Sequence, residues 1–103
     1  ASQTEVLMKQ NEYANFSNQL MANYSGLVNE ADGYKSGVDY YTNFGDQLYS
    51  ETMLNANRAF QAGEINYLDY VTLLNHANII KMNYLQNRFF YNLTVIEANY
   101  ILN

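Results

Sequence analysis

The chain has 103 residues, no cysteine, no proline, and a net charge of −5 from five cations against ten carboxylates. That length supports one small domain, and the lack of cysteine excludes disulfides, thiolate catalysis and cysteine zinc sites. Lys9, Lys35, Arg58, Lys81 and Arg88 are spread singly along the chain, so the clustered cations that displace counterions from nucleic acid are lacking and nucleic-acid binding is excluded.

An anionic membrane surface is disfavoured on the same ground. No apolar run approaches the roughly 20 residues of a membrane-spanning helix. The opening Ala1-Ser2-Gln3-Thr4-Glu5 has neither the basic start nor the apolar stretch of a secretory signal. For an exported protein, the signal is expected to have been removed or to lie upstream. Eleven tyrosines and many asparagines stand where Glu and Lys usually do. Such amphipathic and neutral side chains suit packing against other protein, although a genomic compositional bias gives the same pattern.

Helical periodicity begins near residue 3. A seam runs through Tyr13, Phe16, Leu20, Tyr24, Leu27, Ala31, Tyr34, Val38 and Tyr41, in steps of three and four that approach the 3.5-residue repeat of a coiled coil. It continues through Gly45, Leu48, Thr52, Ala56 and Ala59. One helix, or two nearly collinear ones, is therefore expected over about 3–61. Glycine costs about 1 kcal/mol in a helix interior, so a bend or break is expected, if anywhere, near Gly33 or Gly45.

The turn is expected at 62–65, with Gly63 as the left-handed residue just past the first helix and Asn66 as the cap of the second. From about 66 to 102 the spacing is helical again. One seam is Tyr70, Leu73, Ala77, Ile80, Tyr84, Tyr91, Ala98 and Ile101; another is Met82, Leu85, Phe89, Leu93, Ile96 and Tyr100. A helix in a simple pair needs only one apolar stripe, so this one expects neighbours on two sides. The fold class is all-α, a long antiparallel helical hairpin of coiled-coil character.

The residues for chemistry are sparse. The single histidine, His76, sits in mid-helix, and no Ser or Cys nucleophile lies in a recognisable turn. Met8, Met21, Met53 and Met82 are widely separated at helical core positions, which favours packing over soft-metal binding. There is no glycine-rich phosphate loop. Three Asn-x-Ser/Thr matches, at Asn15, Asn23 and Asn92, are expected by chance in so Asn-rich a helix. No enzyme, metal site or cofactor is expected.

The most informative stretch is Ala59-Phe60-Gln61-Ala62-Gly63-Glu64-Ile65, followed by Tyr67-Leu68-Asp69-Tyr70-Val71 and later Asn83-Tyr84-Leu85. It resembles the periplasmic hairpin tip of TolC-type outer membrane efflux proteins. Gly-Glu-Ile with Tyr-Leu-x-Tyr, together with Val38-Asp39-Tyr40-Tyr41 and Ile79-Ile80-Lys81, looks most like members that serve, or are fused to, heavy-metal cation pumps of the RND class. The resemblance covers roughly 36–102. It implies three chains forming a periplasmic α-barrel within a cell-envelope efflux complex, with tips that dock a periplasmic adaptor protein beside the inner-membrane pump. Carried over by position, Phe60, Gly63, Glu64 and Ile65 form the docking tip. Asp69 falls where the family places a pore-facing carboxylate, which would favour cations; the competing reading of Asp69 is a solvated aspartate at the start of the helix. The chain departs from the family in lacking strands for a membrane β-barrel and in having Asn43-Phe44-Gly45 where Leu-Pro is common. The competing reading is a generic coiled-coil interaction module.

Overall fold

A computed structural model describes residues 2–103. Among them every regular element is helical. Helix α1 spans Gln3–Tyr40, a single π-helical turn spans Tyr41–Gly45, α2 spans Asp46–Gln61 and α3 spans Tyr67–Leu102. With no proline to remove a donor, the backbone remains helical from residue 3 to 61, about 88 Å at 1.5 Å per residue. This matches the 86 Å long axis of the molecule. The other two dimensions, 23 and 15 Å, are two helices wide and one thick, given a helix diameter of about 10–12 Å.

Each of the two arms starts at a side-chain cap. Ser2 lies in extended backbone and its hydroxyl accepts the Glu5 amide at 3.1 Å; Asn66 does the same for the Asp69 amide at 2.8 Å. Each satisfies an amide that a first helical turn leaves without a partner. Between the arms, Gly63 takes φ of +74°. Its amide donates to the Phe60 carbonyl and that of Glu64 to the Ala59 carbonyl, the paired bonds of a Schellman turn.

Contacts between the arms run in reverse chain order. Tyr70 meets Asn57, Ile80 lies beside Gly45, Tyr84 stacks on Tyr41, Asn87 fills the space beside Gly37, Phe90 stacks on Tyr34, and Ile101 shares a groove with Tyr24. The core is this thin line. Tyr41, Gly45, Ala56, Ala77 and Thr94 are buried; apart from Tyr13, Phe16 and Leu48, the other seam residues are half-covered. Small side chains at Ala56 and Ala77 let the helices approach closely, and the Thr94 hydroxyl donates to carbonyls of its own helix, so its burial leaves no orphaned polar group.

Two expectations about the first arm are refined. At Gly33 the α-helix runs through unbroken. At Gly45 it is neither bent into a loop nor regular. The Asp46 amide donates to the Tyr41 carbonyl, an i to i+5 bond that admits one residue more than an α-turn. The seam consequently steps from Gly45 to Tyr49, which is half-covered, whereas Leu48 is 45% exposed. The expected seam residues Tyr13 and Phe16 are also exposed, because the partner helix ends level with Leu20 and Tyr24.

On α3 the two stripes separate cleanly. Tyr70, Leu73, Ala77, Ile80, Tyr84, Tyr91, Ala98 and Ile101 are buried or half-covered. Met82, Leu85, Phe89, Leu93, Ile96 and Tyr100 are 39–84% exposed. At about 100° per residue the stripes are centred roughly 180° apart, on opposite sides of the helix.

Candidate functional site: the turn and the outer face

The end of the rod formed by the turn is stiffened by aromatic and amide contacts. Phe60 stacks on Tyr70 with centroids 4.5 Å apart and meets Tyr67 edge-on at 6.3 Å. The Tyr70 hydroxyl donates to Asn57 Oδ1 at 2.6 Å, which ties the last turns of α2 to the first turn of α3. Offset rings of this kind contribute about 0.5–1.5 kcal/mol beyond their buried area. Gly63 sits at the apex in its left-handed conformation, Glu64 is exposed beside it, and Ile65 is half-covered. Phe60 and Gly63 thus hold the shape of the turn, and Glu64 presents charge on it.

Asp69 lies in the first turn of α3 and is exposed, where a carboxylate complements the positive end of the helix dipole. Arg58 stands in the last turn of α2, where a cation is favoured by the opposite end. Sequence reasoning left two tip residues unassigned: Tyr67 and Leu68 are 70% and 72% exposed. They occupy the first two helical positions after Asn66, at the very end of the rod where the other arm cannot cover both. A Tyr-Leu pair directly after a capping Asn is the signal that marks them.

The second feature is the π-turn. The Tyr41 ring lies 4.2 Å from that of Tyr84, and its hydroxyl donates to Asp46 Oδ1 at 3.3 Å. Burial pushes the Tyr41 phenol above its ordinary value, and the Asp46 carboxylate adds to the shift. A side chain at Gly45 would stand 2.9 Å from the Tyr41 ring and 3.4 Å from Ile80, so glycine leaves the room the ring occupies. An open groove of about 370 Å³ beside it is lined by Tyr40, Tyr84, Asn83 and Asn87 among others. Lys81 Nζ sits 4.9 Å from the Tyr49 ring centroid, a cation–π contact on the rim of the seam.

His76 is exposed. Among the described residues no group of three or more His, Cys, Asp or Glu is placed to hold a metal ion, and no helix is long and apolar enough to cross a membrane. Comparison with family models, curated proteins and solved structures finds no match to this chain.

Proposed function

We propose that this chain is the periplasmic α-barrel segment of a tripartite efflux system, an antiparallel, coiled-coil-like helical hairpin whose tip docks an adaptor protein. The observation that carries the reading is the pair of opposed apolar stripes on α3, one facing the chain's own first arm and one left to solvent. A helix apolar on two opposite sides belongs between two neighbours in a row, and a barrel wall is such a row. The 15 Å thickness of the molecule is in keeping with a wall one helix deep.

The tip reading is supported by the stiffened turn. Phe60, Gly63, Glu64 and Ile65 are held there by the Schellman bonds and the Phe60–Tyr70 stack, and a preorganised end loses little entropy on docking. The role of heavy-metal cation transport, the RND pump, the trimer and the periplasmic location rest on the resemblance of the Gly63-Glu64-Ile65 and Tyr67-Leu68-Asp69-Tyr70 motifs alone. Asp69 on this reading faces the pore, and Asp69→Asn is expected to change cation block of the assembled channel; an unchanged channel removes that role.

The direct test is a Gln61→Cys variant cross-linked in the envelope of the organism that makes the protein. The expected product is an adduct with a periplasmic adaptor. With the cysteine reactive and the protein folded, an adduct-free result favours the generic coiled-coil interaction module. One observation already favours that second reading: the seam residues Tyr13 and Phe16 continue in phase on α1 beyond the end of α3 and have room for another helix.

A further inference from the structure

The groove beside the π-turn has a lining that packing between the two arms does not require. Its volume is about 370 Å³, at the small end of the roughly 300–1,000 Å³ of ligand sites. It runs from Gly37 to Tyr41 on the first arm and from Ile80 to Asn87 on α3, two helical turns or about 10 Å. Single π-turns inside α-helices are frequent at functional sites.

Two tyrosine rings and three carboxamides dominate the lining: Tyr40, Tyr84, Asn83, Gln86 and Asn87. The Tyr40 side chain is 55% exposed, and its ring is held 5.9 Å from that of Phe44 inside the π-turn. The Tyr84 ring is fixed by its stack on Tyr41 at 4.2 Å. Asn83 and Gln86 are exposed and Asn87 is half-covered. The Asn87 amide lies in the space beside Gly37 that any Cβ at that position would take, so glycine there admits the amide to the groove. No charged residue lines it. Counted at about 100° per residue, Lys81 and Arg88 fall on the other side of the seam from Asn83 and Asn87.

This lining selects a chemical class. A charged ligand would leave water for a site that offers no counter-charge. A wholly apolar ligand would cover three amides without replacing their hydrogen bonds to water. The fitting ligand has an apolar face for the rings and a rim of groups that both donate and accept. Each carboxamide offers two donors and an acceptor, the complement of neighbouring hydroxyls. A groove two turns long suits a short rigid ring more than an extended segment. We infer that the groove binds a neutral saccharide, one pyranose ring lying against Tyr40 with its hydroxyls bonded to Asn83, Gln86 and Asn87. None of these residues belongs to the tip or to the outer stripe of α3, so the inference does not rest on the channel-wall reading.

Titrations of the whole chain test it. The chain has no tryptophan, so tyrosine fluorescence and the side-chain amide signals in nitrogen-15 NMR spectra report on the site directly. The probes are N-acetylchitotriose and maltotriose, both neutral, with N-acetylglucosamine as a single ring and trigalacturonate as the charged counterpart. The expected result is a saturable shift of the Asn83 and Asn87 amides by a neutral trisaccharide, with a Kd of about 1 mM, and none by trigalacturonate. Equal binding of N-acetylglucosamine assigns the site to a free sugar, and tighter binding of the trisaccharide assigns it to a glycan chain. Tyr40→Ala, at an exposed position, should weaken binding about tenfold. Gly37→Ala puts a methyl where the Asn87 amide lies while adding helix propensity; it should weaken binding with an unfolding midpoint no lower than the parent's, which separates loss of the site from loss of the fold. No shift by any neutral saccharide at about ten times the expected Kd, with helical circular dichroism intact, overturns the proposal. Binding that both variants leave unchanged overturns it too, and tighter binding of trigalacturonate overturns the assignment to a neutral ligand.

Discussion

Replacing Gly45 by alanine tests the reason given for the π-turn. Both Gly45 and Gly33 have helical backbone, so each gains about 1 kcal/mol of helix propensity on becoming alanine. At Gly33 nothing lies within 4 Å of the added methyl, and the gain stands. At Gly45 the methyl meets the Tyr41 ring at 2.9 Å, and that ring is held against Tyr84 at 4.2 Å. It cannot swing aside without loosening the stack. Overpacking of this kind costs about 1–3 kcal/mol. The two variants should therefore separate by about 1–3 kcal/mol, with Gly33→Ala above the parent and Gly45→Ala at or below it. Urea unfolding followed by circular dichroism reads the difference; in a thermal scan each 1 kcal/mol corresponds to about 4–8 °C for a domain of this size. In a Tyr41→Ala background the penalty at Gly45 should vanish, since coupled residues depart from additivity. Equal stabilisation by both substitutions would refute the claim that Tyr41 occupies the space glycine leaves.

Other outcomes follow from the turn and the seam. Gly63→Ala forces an L side chain into the left-handed conformation at φ +74° and should cost about 1–2 kcal/mol, read as a lower unfolding midpoint. Asn66→Ala removes the side chain that accepts the Asp69 amide and should cost about 1 kcal/mol, with faster amide exchange confined to the first turn of α3. Tyr41 carries the pH dependence. Its phenol is raised by burial and by Asp46, so above about pH 10 the unfolded chain loses that proton while the folded one keeps it. Stability is then fully present below about pH 10 and declines as pH rises toward the folded value. Tyr41→Phe should flatten that part of the alkaline decline, as measured by unfolding midpoints across pH 9–12.

The parts of the fold that were legible in the sequence are those set by local chemistry. The seam through Tyr24, Leu27, Ala31 and Tyr34 follows from helical spacing, and Gly63 and Asn66 follow from the backbone needs of a helix end. The π-turn was only half legible. Asn43-Phe44-Gly45-Asp46 reads as a weak point, but whether a weak helix bends, breaks or widens depends on what packs against it, and Tyr84 and Ile80 come from a helix some 40 residues away. The shift of the seam from Leu48 to Tyr49 follows from that same widening and so was out of reach. Exposure of Tyr13 and Phe16 depends on where α3 ends relative to α1, which spacing alone does not give. At the turn, spacing placed Gly63, Glu64 and Ile65 between the two helices and Phe60 just before them; the exposure of Tyr67 and Leu68 needed the position of the last turn in space.

The proposed helical wall requires the outer stripe of α3 to be covered. The most direct measurement is maleimide labelling of an Ile96→Cys variant, in isolated chain and in the intact cell envelope. Arg88→Cys serves as control, because Arg88 lies between the two stripes. The account predicts that both positions label freely in the isolated chain, and that in the envelope Ile96→Cys becomes protected while Arg88→Cys stays reactive. Equal labelling of Ile96→Cys in both settings would mean that the stripe faces water in the envelope as well, and would contradict the proposal that this hairpin is part of a helical wall.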